Sequence, residues 1–409
     1  MKIQCRICKS DNLESFLNLG RLSLTGKYAD PGIEVDKHPL NLGKCLNCGL
    51  VQLMDNFINT DLYGPGYGYE SHLNNSMKTH LQSTAKYIER MFKPTTDDII
   101  LDIASNDGTL LSGYSIETKK LIGIDPLISL FVDKYPSKAT KINEFFSKEA
   151  YLENTSQKAK IITSFSVFYD LEAPIQFARD VENIMEEDGV WILEQSYLPM
   201  MINTLGFDTI CHEHLLYLSL NDFHQIFQQV GLQIFAAKMN DVNGGSIQLY
   251  VKKSSNHNYQ VSPYVKWLLK WESDSGVNSF QNCQLFAKNV KAYSINLRNL
   301  IESHKDLGYY IFGLGASTKG NVLLQYCNLG ELIEEIGEIN PKKFGKVTPG
   351  TNIPIVDQDK FLGLNNSNTS KQLGIVIPWH FRNSIKNSAE HYLSKGGSLL
   401  VPLPFPEII

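Results

Sequence analysis

The segment 207–220 gathers side chains that suit proton transfer near neutral pH. It places His212, Glu213, His214 and Tyr217 within six positions, and imidazole, carboxyl and phenol groups are common general acids and bases. A polar turn with a solvated histidine pair fits the same pattern, so the triplet alone leaves both interpretations open. A zinc protease is disfavoured, because its H-E-x-x-H spacing differs from this one.

Four cysteines have the spacing of metal ligands. Cys5 and Cys8 form one C-x-x-C hook, and Cys45 and Cys48 form a second. Two such hooks offer four thiolates, which complete a tetrahedral zinc site and leave no open position. The sequence therefore predicts a structural zinc ion (Zn²⁺) whose binding contributes to folding.

Small and acidic residues follow two buried strands. The run 99–111 predicts a strand, a tight turn and a helix start, and Asp125 ends the next strand. The candidate ligands in the turn are Asp102, Ser105, Asn106 and Gly108. The turn matches neither the dinucleotide fingerprint nor the P-loop, whereas an acid after the second strand suits a ribose. S-adenosylmethionine (SAM), which has a ribose and no phosphate, fits this pattern; the alternative is a generic α/β unit whose aspartates cap helices.

Two glycine-rich segments are weaker candidates. Residues 62–75 carry Tyr67 and Tyr69 among glycines, which suits either a loop over a ligand or a linker with aromatic packing. Residues 309–324 predict a strand, a turn and a helix whose N-terminus would offer backbone N–H groups to an anion. Lys319 would add charge there, although a plain αβ turn fits equally well.

Alternating strands and helices must position these groups. Strands are expected in 99–103, 121–125, 160–170 and 190–193, with helices at 76–92 and 174–186. This order predicts a doubly wound, mostly parallel sheet, whose ligands lie at the carboxyl ends of the strands. The pattern restarts after residue 222, with an edge strand at 246–251 and a long helix over 276–304. We expect a zinc module with a tyrosine-rich loop (1–75), a SAM-binding domain (76–222) and a C-terminal α/β domain (223–409).

Composition argues against several classes of protein. The 409 residues are 43% hydrophobic and 20% charged, as in ordinary soluble proteins. A net charge of −5 offers no basic surface for nucleic acid. No apolar run approaches the length of a membrane span, and the N-terminus has no signal region. We therefore expect a cytoplasmic protein without nucleic-acid or membrane partners, as a monomer or small homo-oligomer.

In this order the motifs resemble the C-methyltransferases that act on nucleotide-linked keto-deoxy-sugars. The resemblance spans essentially the whole chain. It includes the cysteine hooks, the loop 67–71, the turn 102–108, the segment 207–217 and the turn 313–321. It implies an α/β protein with an N-terminal zinc-binding module, a class I SAM methyltransferase domain and a second Rossmann-like domain.

The resemblance also implies methylation of the carbon beside a ketone, through an enolate. His214 would take the proton, Glu213 would orient the base or bind a sugar hydroxyl, and His212 would stabilise the enolate oxygen. The implied SAM ligands are Asp102, Ser105, Asn106, Gly108, Asp125 and Gln195. The implied ligands of the nucleotide-diphosphate-sugar are Tyr67 and Tyr69 over the sugar, and Ser317, Thr318, Lys319 and Asn321 at the diphosphate.

The chain departs from the family pattern just before the triplet. Cys211 stands where related chains carry a tyrosine, so either an ionised thiol or the hydroxyl of Tyr197 or Tyr217 would take over that role. Two other functions remain open: methylation of an oxygen or nitrogen atom, which needs no enolate, and binding of a nucleotide-sugar without catalysis.

Overall fold

The computed structural model describes residues 3–55, 69–115, 120–364 and 369–409, which form three β-sheets. The first sheet is antiparallel, with the order β1-β2-β3-β9. Its strands are β1 (Leu13–Ser23), β2 (Lys37–Cys45), β3 (Val51–Leu53) and β9 (Leu216–Tyr217). In β9, Tyr217 pairs with Val51 and Leu216 with Gln52. The segment singled out for proton transfer therefore completes the sheet of the N-terminal module.

The central sheet has seven strands in the order β10-β11-β8-β7-β4-β5-β6. They are β4 (Ile100–Ile103), β5 (Leu121–Ile124), β6 (Thr140–Ile142), β7 (Ala159–Phe165), β8 (Met185–Ser196), β10 (Leu232–Asn240) and β11 (Ser246–Lys253). Only β11 runs opposite to its neighbours in this sheet. The expected doubly wound, mostly parallel sheet is confirmed.

Two details of the expected layout differ from the structure. The strand at 246–251 was predicted to lie at an edge, but β11 lies between β10 and β8, and β10 forms the edge. The β10–β11 hairpin also carries the central sheet to Lys253. The division at residue 222 stays a prediction as a domain boundary, although the sheet itself continues past it.

In the ranges that the structure describes, five helices accompany the central sheet. They are α1 (Asn75–Phe92), α2 (Lys148–Leu152), α3 (Pro174–Ile184), α4 (Leu198–Asn203) and α5 (Leu220–Gln228). Helix α1 begins where the Asn74 side chain accepts hydrogen bonds from the N–H groups of Ser76 and Met77. Of the apolar residues at helical spacing, it buries Met77, Leu81, Ala85 and Ile88, whereas Met91, which the same spacing placed on that face, is exposed.

The C-terminal part is a second α/β unit with a six-stranded sheet in the order β14-β13-β12-β15-β16-β17. Its strands are β12 (Tyr310–Leu314), β13 (Glu335–Glu338), β14 (Ile355–Asp357), β15 (Gln372–Val376), β16 (Ser398–Val401) and β17 (Glu407–Ile408). All neighbouring strands are parallel except β16 and β17. The expected second Rossmann-like unit is therefore present.

In the described residues six further helices follow β11. They are α6 (Pro263–Ser275), α7 (Phe280–Asp306), α8 (Thr318–Tyr326), α9 (Asp359–Leu362), α10 (Arg382–Ser388) and α11 (Glu390–Ser394). The first of them, α6, packs on β10 and α5 of the central part. The helix expected over 276–304 starts later, because Gly276 ends α6 with a φ of +59° and Ser279 caps α7. Among the helices of the described residues, none is both long and apolar enough to cross a membrane.

Helix α8 joins the C-terminal unit to the N-terminal module. The Gln325 amide accepts a hydrogen bond from the Ser23 N–H at 2.7 Å and donates one to the Ser23 carbonyl at 3.2 Å. One turn earlier, the Asn321 amide donates to the Thr25 carbonyl at 2.7 Å. The end of β1 is thereby held against the same helix whose N-terminus faces the candidate site.

Candidate active site

His214 is held as a neutral imidazole with a defined tautomer. Its Nδ1 lies 2.8 Å from the Thr209 carbonyl oxygen, and because a carbonyl only accepts, Nδ1 carries the hydrogen and Nε2 keeps the lone pair. Burial, followed by the nearby charge of Lys319, lowers the pKa of His214 to about 3. Its ring also packs on Tyr169, with 4.0 Å between centroids. At neutral pH His214 is therefore neutral, with the free lone pair on Nε2.

Cys211 and Glu213 shortly precede His214 in the sequence, and both side chains are buried. Burial raises the pKa of the Glu213 carboxyl to about 7. Its Oε1 lies so close to Gly26 that a Cβ on that glycine would be 2.5 Å away, which explains a glycine there. Burial and the charge of Glu213 raise the pKa of the Cys211 thiol well above its ordinary value. The thiol stays protonated, so the interpretation of Cys211 as an ionised base loses its support.

His212 lies against a different part of the molecule. Its Nε2 is 3.3 Å from the carbonyl oxygen of His38 on β2, and the two rings meet edge to face. Burial lowers the pKa of His212 to about 4. The contact directs Nε2 towards the N-terminal sheet, whereas His214 contacts Thr209 and Tyr169. The expected role of His212 at an enolate oxygen stays a prediction.

A small cavity adjoins His214. Its lining includes Tyr169, Ser196, Tyr197, Thr209, His214 and Tyr217. The Tyr197 hydroxyl donates to Glu272 on α6, whereas the Tyr217 hydroxyl is buried with no hydrogen-bond partner in the described part of the chain. Tyr197 and Tyr217 are the two candidates to replace the tyrosine that related chains carry at position 211. Of the two, Tyr217 is therefore the one whose hydroxyl can donate to a ligand.

Further buried polar atoms at the end of β8 have no partner within the described residues. They are the Ser196 hydroxyl and both polar atoms of the Gln195 amide. Buried groups of this kind are nearly always hydrogen-bonded in folded proteins. Their position at the end of β8 therefore fits a site that a polar ligand completes.

A second cavity shares Ser196 and Thr209 with the first and reaches the C-terminal unit. There the Asp208 carboxylate accepts a hydrogen bond from the Trp379 indole at 2.8 Å. The Lys319 ammonium donates to the Asn243 carbonyl at 3.1 Å, and burial lowers the pKa of Lys319. Neither Trp379 nor Asn243 carried a sequence signal, because each reaches the site only through packing of the two units.

Two of the other residues predicted at the start of α8, Ser317 and Asn321, have structural partners. Ser317 caps the helix through a hydrogen bond from the Gly320 N–H at 3.1 Å. Asn321 anchors β1, as described above, and only 1% of its surface is exposed. Of the tyrosine-rich loop, Tyr67 lies outside the described residues, and the Tyr69 carbonyl accepts from Asn106 at 3.3 Å.

The predicted SAM turn has a strained, closely bonded backbone. Ala104, Asn106 and Gly108 all have left-handed φ angles of +56°, +48° and +75°. A Cβ on Gly108 would lie 2.9 Å from the Tyr135 ring, so this position requires glycine on both counts. The Asp125 carboxylate accepts from the backbone N–H groups of Asn106 and Leu127 at 3.0 and 2.7 Å.

Asp102 lies at the end of β4, where Thr163 donates to its carboxylate at 2.6 Å, and burial raises the pKa of Asp102 to about 7. Two acids at the ends of adjacent strands, with the unpartnered Gln195 amide, fit a ligand that has hydroxyl and ammonium groups. The residues present therefore suit SAM.

Tyr135 is a member of this turn that the sequence did not reveal. Its hydroxyl donates to the Asn106 carbonyl at 2.7 Å and accepts from the Ser105 hydroxyl at 2.8 Å. It lies in a loop after the second strand, where no motif marks it.

The four predicted metal ligands are brought together. Their Sγ atoms all lie within 4.8 Å of one another, with 3.4 Å between those of Cys5 and Cys48 and 3.5 Å between those of Cys8 and Cys45. Tetrahedral Zn–S bonds of about 2.3 Å place thiolates roughly 3.8 Å apart. The donor set and its spacing therefore fit zinc.

Three family models match nearly the whole chain. They are described as "Putative zinc binding domain" for residues 5–63, "Methyltransferase domain" for 72–237 and "C-methyltransferase C-terminal domain" for 241–404. Their order along the chain is that of a zinc-binding domain, a methyltransferase domain and a C-methyltransferase C-terminal domain. It is 25% identical to the C-methyltransferase NovU of Streptomyces niveus over 413 residues, which cover 99% of this chain and 96% of that one. The expected family is confirmed, and the protein is a SAM-dependent methyltransferase.

Two solved methyltransferase structures each overlap with less than half of the chain. A SAM-dependent methyltransferase from Clostridium acetobutylicum is 11% identical, with a TM-score of 0.34, and covers 45% of this chain and 92% of its own. A magnesium protoporphyrin IX methyltransferase from Synechocystis is 13% identical, with a TM-score of 0.34, and covers 48% and 92%.

Tyr135→Phe tests whether this hydroxyl shapes the cofactor turn. The substitution keeps the ring over Gly108 but removes both hydroxyl hydrogen bonds, each worth about 1 kcal/mol. We expect the affinity for S-adenosylhomocysteine (SAH) to fall about five- to tenfold in calorimetry. Tyr151→Phe, on α2, is the matched control, since its hydroxyl donates to the Gln157 carbonyl. Equal SAH affinity in the two variants would contradict the role of Tyr135.

Proposed function

We propose that the protein methylates the ring carbon beside the ketone of a nucleotide-linked keto-deoxy-sugar. The observation that carries this proposal is the tautomer of His214, whose Nδ1–H is donated to Thr209 and whose Nε2 is the basic atom. A base of this kind is needed for methylation at carbon, where a proton must leave before the new bond forms. Family membership and the relative NovU support the same reaction type.

In the proposed reaction, His214 Nε2 takes the proton from the carbon beside the ketone, and the electron pair moves onto the ketone oxygen. Bound SAM supplies an electrophilic methyl group. The imidazolium is disfavoured in the free protein because the site is buried. The negative charge that develops on the substrate stabilises it at the moment of transfer.

Two groups suit the enolate oxygen. The Tyr217 hydroxyl lines the cavity with His214 and has no partner in the described chain, so it can donate to that oxygen. The Lys319 ammonium lies near enough to lower the pKa of His214 by its charge, and it stabilises negative charge in the same place.

The nucleotide part is assigned to the N-terminus of α8. Since Ser317 and Asn321 already serve as cap and anchor, we assign contact with the diphosphate to Thr318 and to the backbone N–H groups of the first turn. Tyr69 remains a candidate for contact with the sugar.

His214→Ala tests the base directly. With a nucleotide-linked 4-keto-6-deoxy-sugar in deuterated water, we expect methyl transfer to fall by about 10²- to 10⁴-fold, while SAH affinity is kept. Deuterium uptake beside the ketone, followed by mass spectrometry without SAM, should disappear as well. His257→Ala, an exposed histidine, is the control. Unchanged transfer would exclude His214 as the base, and methyl gain without exchange would point to an oxygen or nitrogen acceptor.

Glu213 gives the reaction a specific dependence on pH. Burial raises the pKa of Glu213 to about 7, so the side chain is protonated below that pH and ionised above it. As a carboxylate it would accept from a sugar hydroxyl and favour the imidazolium of His214. We therefore expect kcat/KM to rise with pH through about 7, and Glu213→Gln to remove the part of this rise that does not come from Asp102, whose pKa is also about 7. His214, with a pKa of about 3, contributes no step in this range. Persistence of the full rise in Glu213→Gln would assign it to another group.

We also propose that the cysteine cluster holds one structural zinc ion. Four ligands leave no position for substrate, so the ion acts through the N-terminal sheet. Cys45→Ser should lose the zinc found by elemental analysis and lower the midpoint of thermal unfolding. Cys283→Ser, which changes a buried thiol on α7 outside the cluster, should keep the metal. Full metal content in Cys45→Ser would contradict this assignment.

A further inference from the structure

Glu70 is a buried carboxylate between two lysines of different parts of the chain. Only 5% of its side chain is exposed. Its Oε2 lies 2.5 Å from the ammonium of Lys134, which follows β5 in the central domain. Its Oε1 lies 2.6 Å from the ammonium of Lys342, which follows β13 in the C-terminal unit. One carboxylate therefore binds both units at once.

The residues next to Glu70 are bonded to the cofactor turn. The Ser71 N–H and hydroxyl donate to the Asn106 side-chain oxygen at 3.1 and 3.2 Å. The His72 N–H donates to the Asp107 carboxylate at 2.9 Å, and its Nδ1 lies 2.7 Å from the same oxygen. Together with the bond from Asn106 to the carbonyl of Tyr69, these contacts clamp the turn from outside.

The two lysines are also stacked against one aromatic ring. Their ammonium groups lie 5.3 and 5.9 Å from the centre of the Phe131 ring, for Lys134 and Lys342 respectively. Two cations this close repel each other unless a carboxylate lies between them. Without the Glu70 charge, Lys342 and Lys134 would therefore repel each other. The C-terminal unit, which carries Lys342, would then move away from residues 69–72, which hold the cofactor turn.

We propose that Glu70 is a positioning residue that couples the C-terminal unit to the cofactor turn, so that tight cofactor binding requires the two units to be closed on each other. In the described part of the chain, Lys342 of the C-terminal unit binds Glu70, and the residues that follow Glu70 bind the cofactor turn of the central domain. The cofactor would therefore bind tightly only when the part of the site that holds Lys319 and Trp379 is in place. The inference concerns cofactor binding and does not depend on which acceptor is methylated.

Lys342→Met is the deciding variant, because the side chain is 71% exposed and its removal leaves the core intact. We expect SAH affinity, measured by calorimetry without any sugar, to fall about three- to tenfold. Hydrogen exchange of the amides in 104–109 should become faster. Lys346→Met is the matched control: it removes a lysine charge from the same loop, and Lys346 forms no ion pair among the described residues. It should change neither SAH affinity nor the exchange rate of the amides in 104–109.

Exchanging the charges of Glu70 and Lys342 distinguishes a positioning role of this ion pair from a general effect on protein stability. Glu70→Lys alone should weaken SAH binding more than Lys342→Met does, because three cations then meet. Adding Lys342→Glu should restore part of that loss by re-forming an ion pair in the opposite sense. If Lys342→Met binds SAH as Lys346→Met does, or the swap restores nothing, the proposal is overturned. Absence of methyl transfer to any sugar would affect the proposed function only, since these measurements use SAH alone.

Discussion

The site depends on how the segment 215–218 is pinned between three other elements. The Leu215 N–H donates to the Tyr169 carbonyl at 2.8 Å, and the Leu53 N–H donates to the Leu215 carbonyl at 2.9 Å. The Leu218 carbonyl then accepts from Leu198 at 3.0 Å. A short irregular segment cannot fix its own side chains, because it has no internal hydrogen-bond ladder. Here the ladder is supplied by neighbours, and it sets the positions of His214 and Tyr217.

This pinning links the N-terminal module to the segment that carries the proposed catalytic residues. Strand β3, which accepts β9 as its neighbour, lies just after the second cysteine hook. Metal bound at the cysteines would hold that hook and the start of β3 in place. The module would therefore hold His214, the proposed base, in position from the side of β3. The same logic explains why α8 is tied to Ser23 and Thr25 on the other side.

Burial then sets the chemistry of the pinned groups. Within a few residues of one another, desolvation lowers the pKa of His214, raises that of Glu213 and keeps the Cys211 thiol protonated. Each shift has the same cause, which is the cost of placing a charge in a site of low polarity. Neutral His214 can act as a base, and Glu213 titrates close to physiological pH. Separated pKa values of this kind are how neighbouring residues take different roles in one reaction.

The sequence by itself determined the features that local spacing controls. It determined the two cysteine hooks, the apolar face of α1, the strand and turn that carry Asp102 and Gly108, and the alternation of strands and helices. These features depend on residues close together in the chain, and their order also sufficed for the family. Tertiary structure alone decided that β11 lies inside its sheet, and it brought Tyr135, Asn243 and Trp379 to the site. It also decided that Cys211 stays protonated and that Glu70 binds lysines from two units. Each of these outcomes depends on burial or on contacts between residues far apart in sequence. The local spacing of residues encodes neither burial nor such contacts.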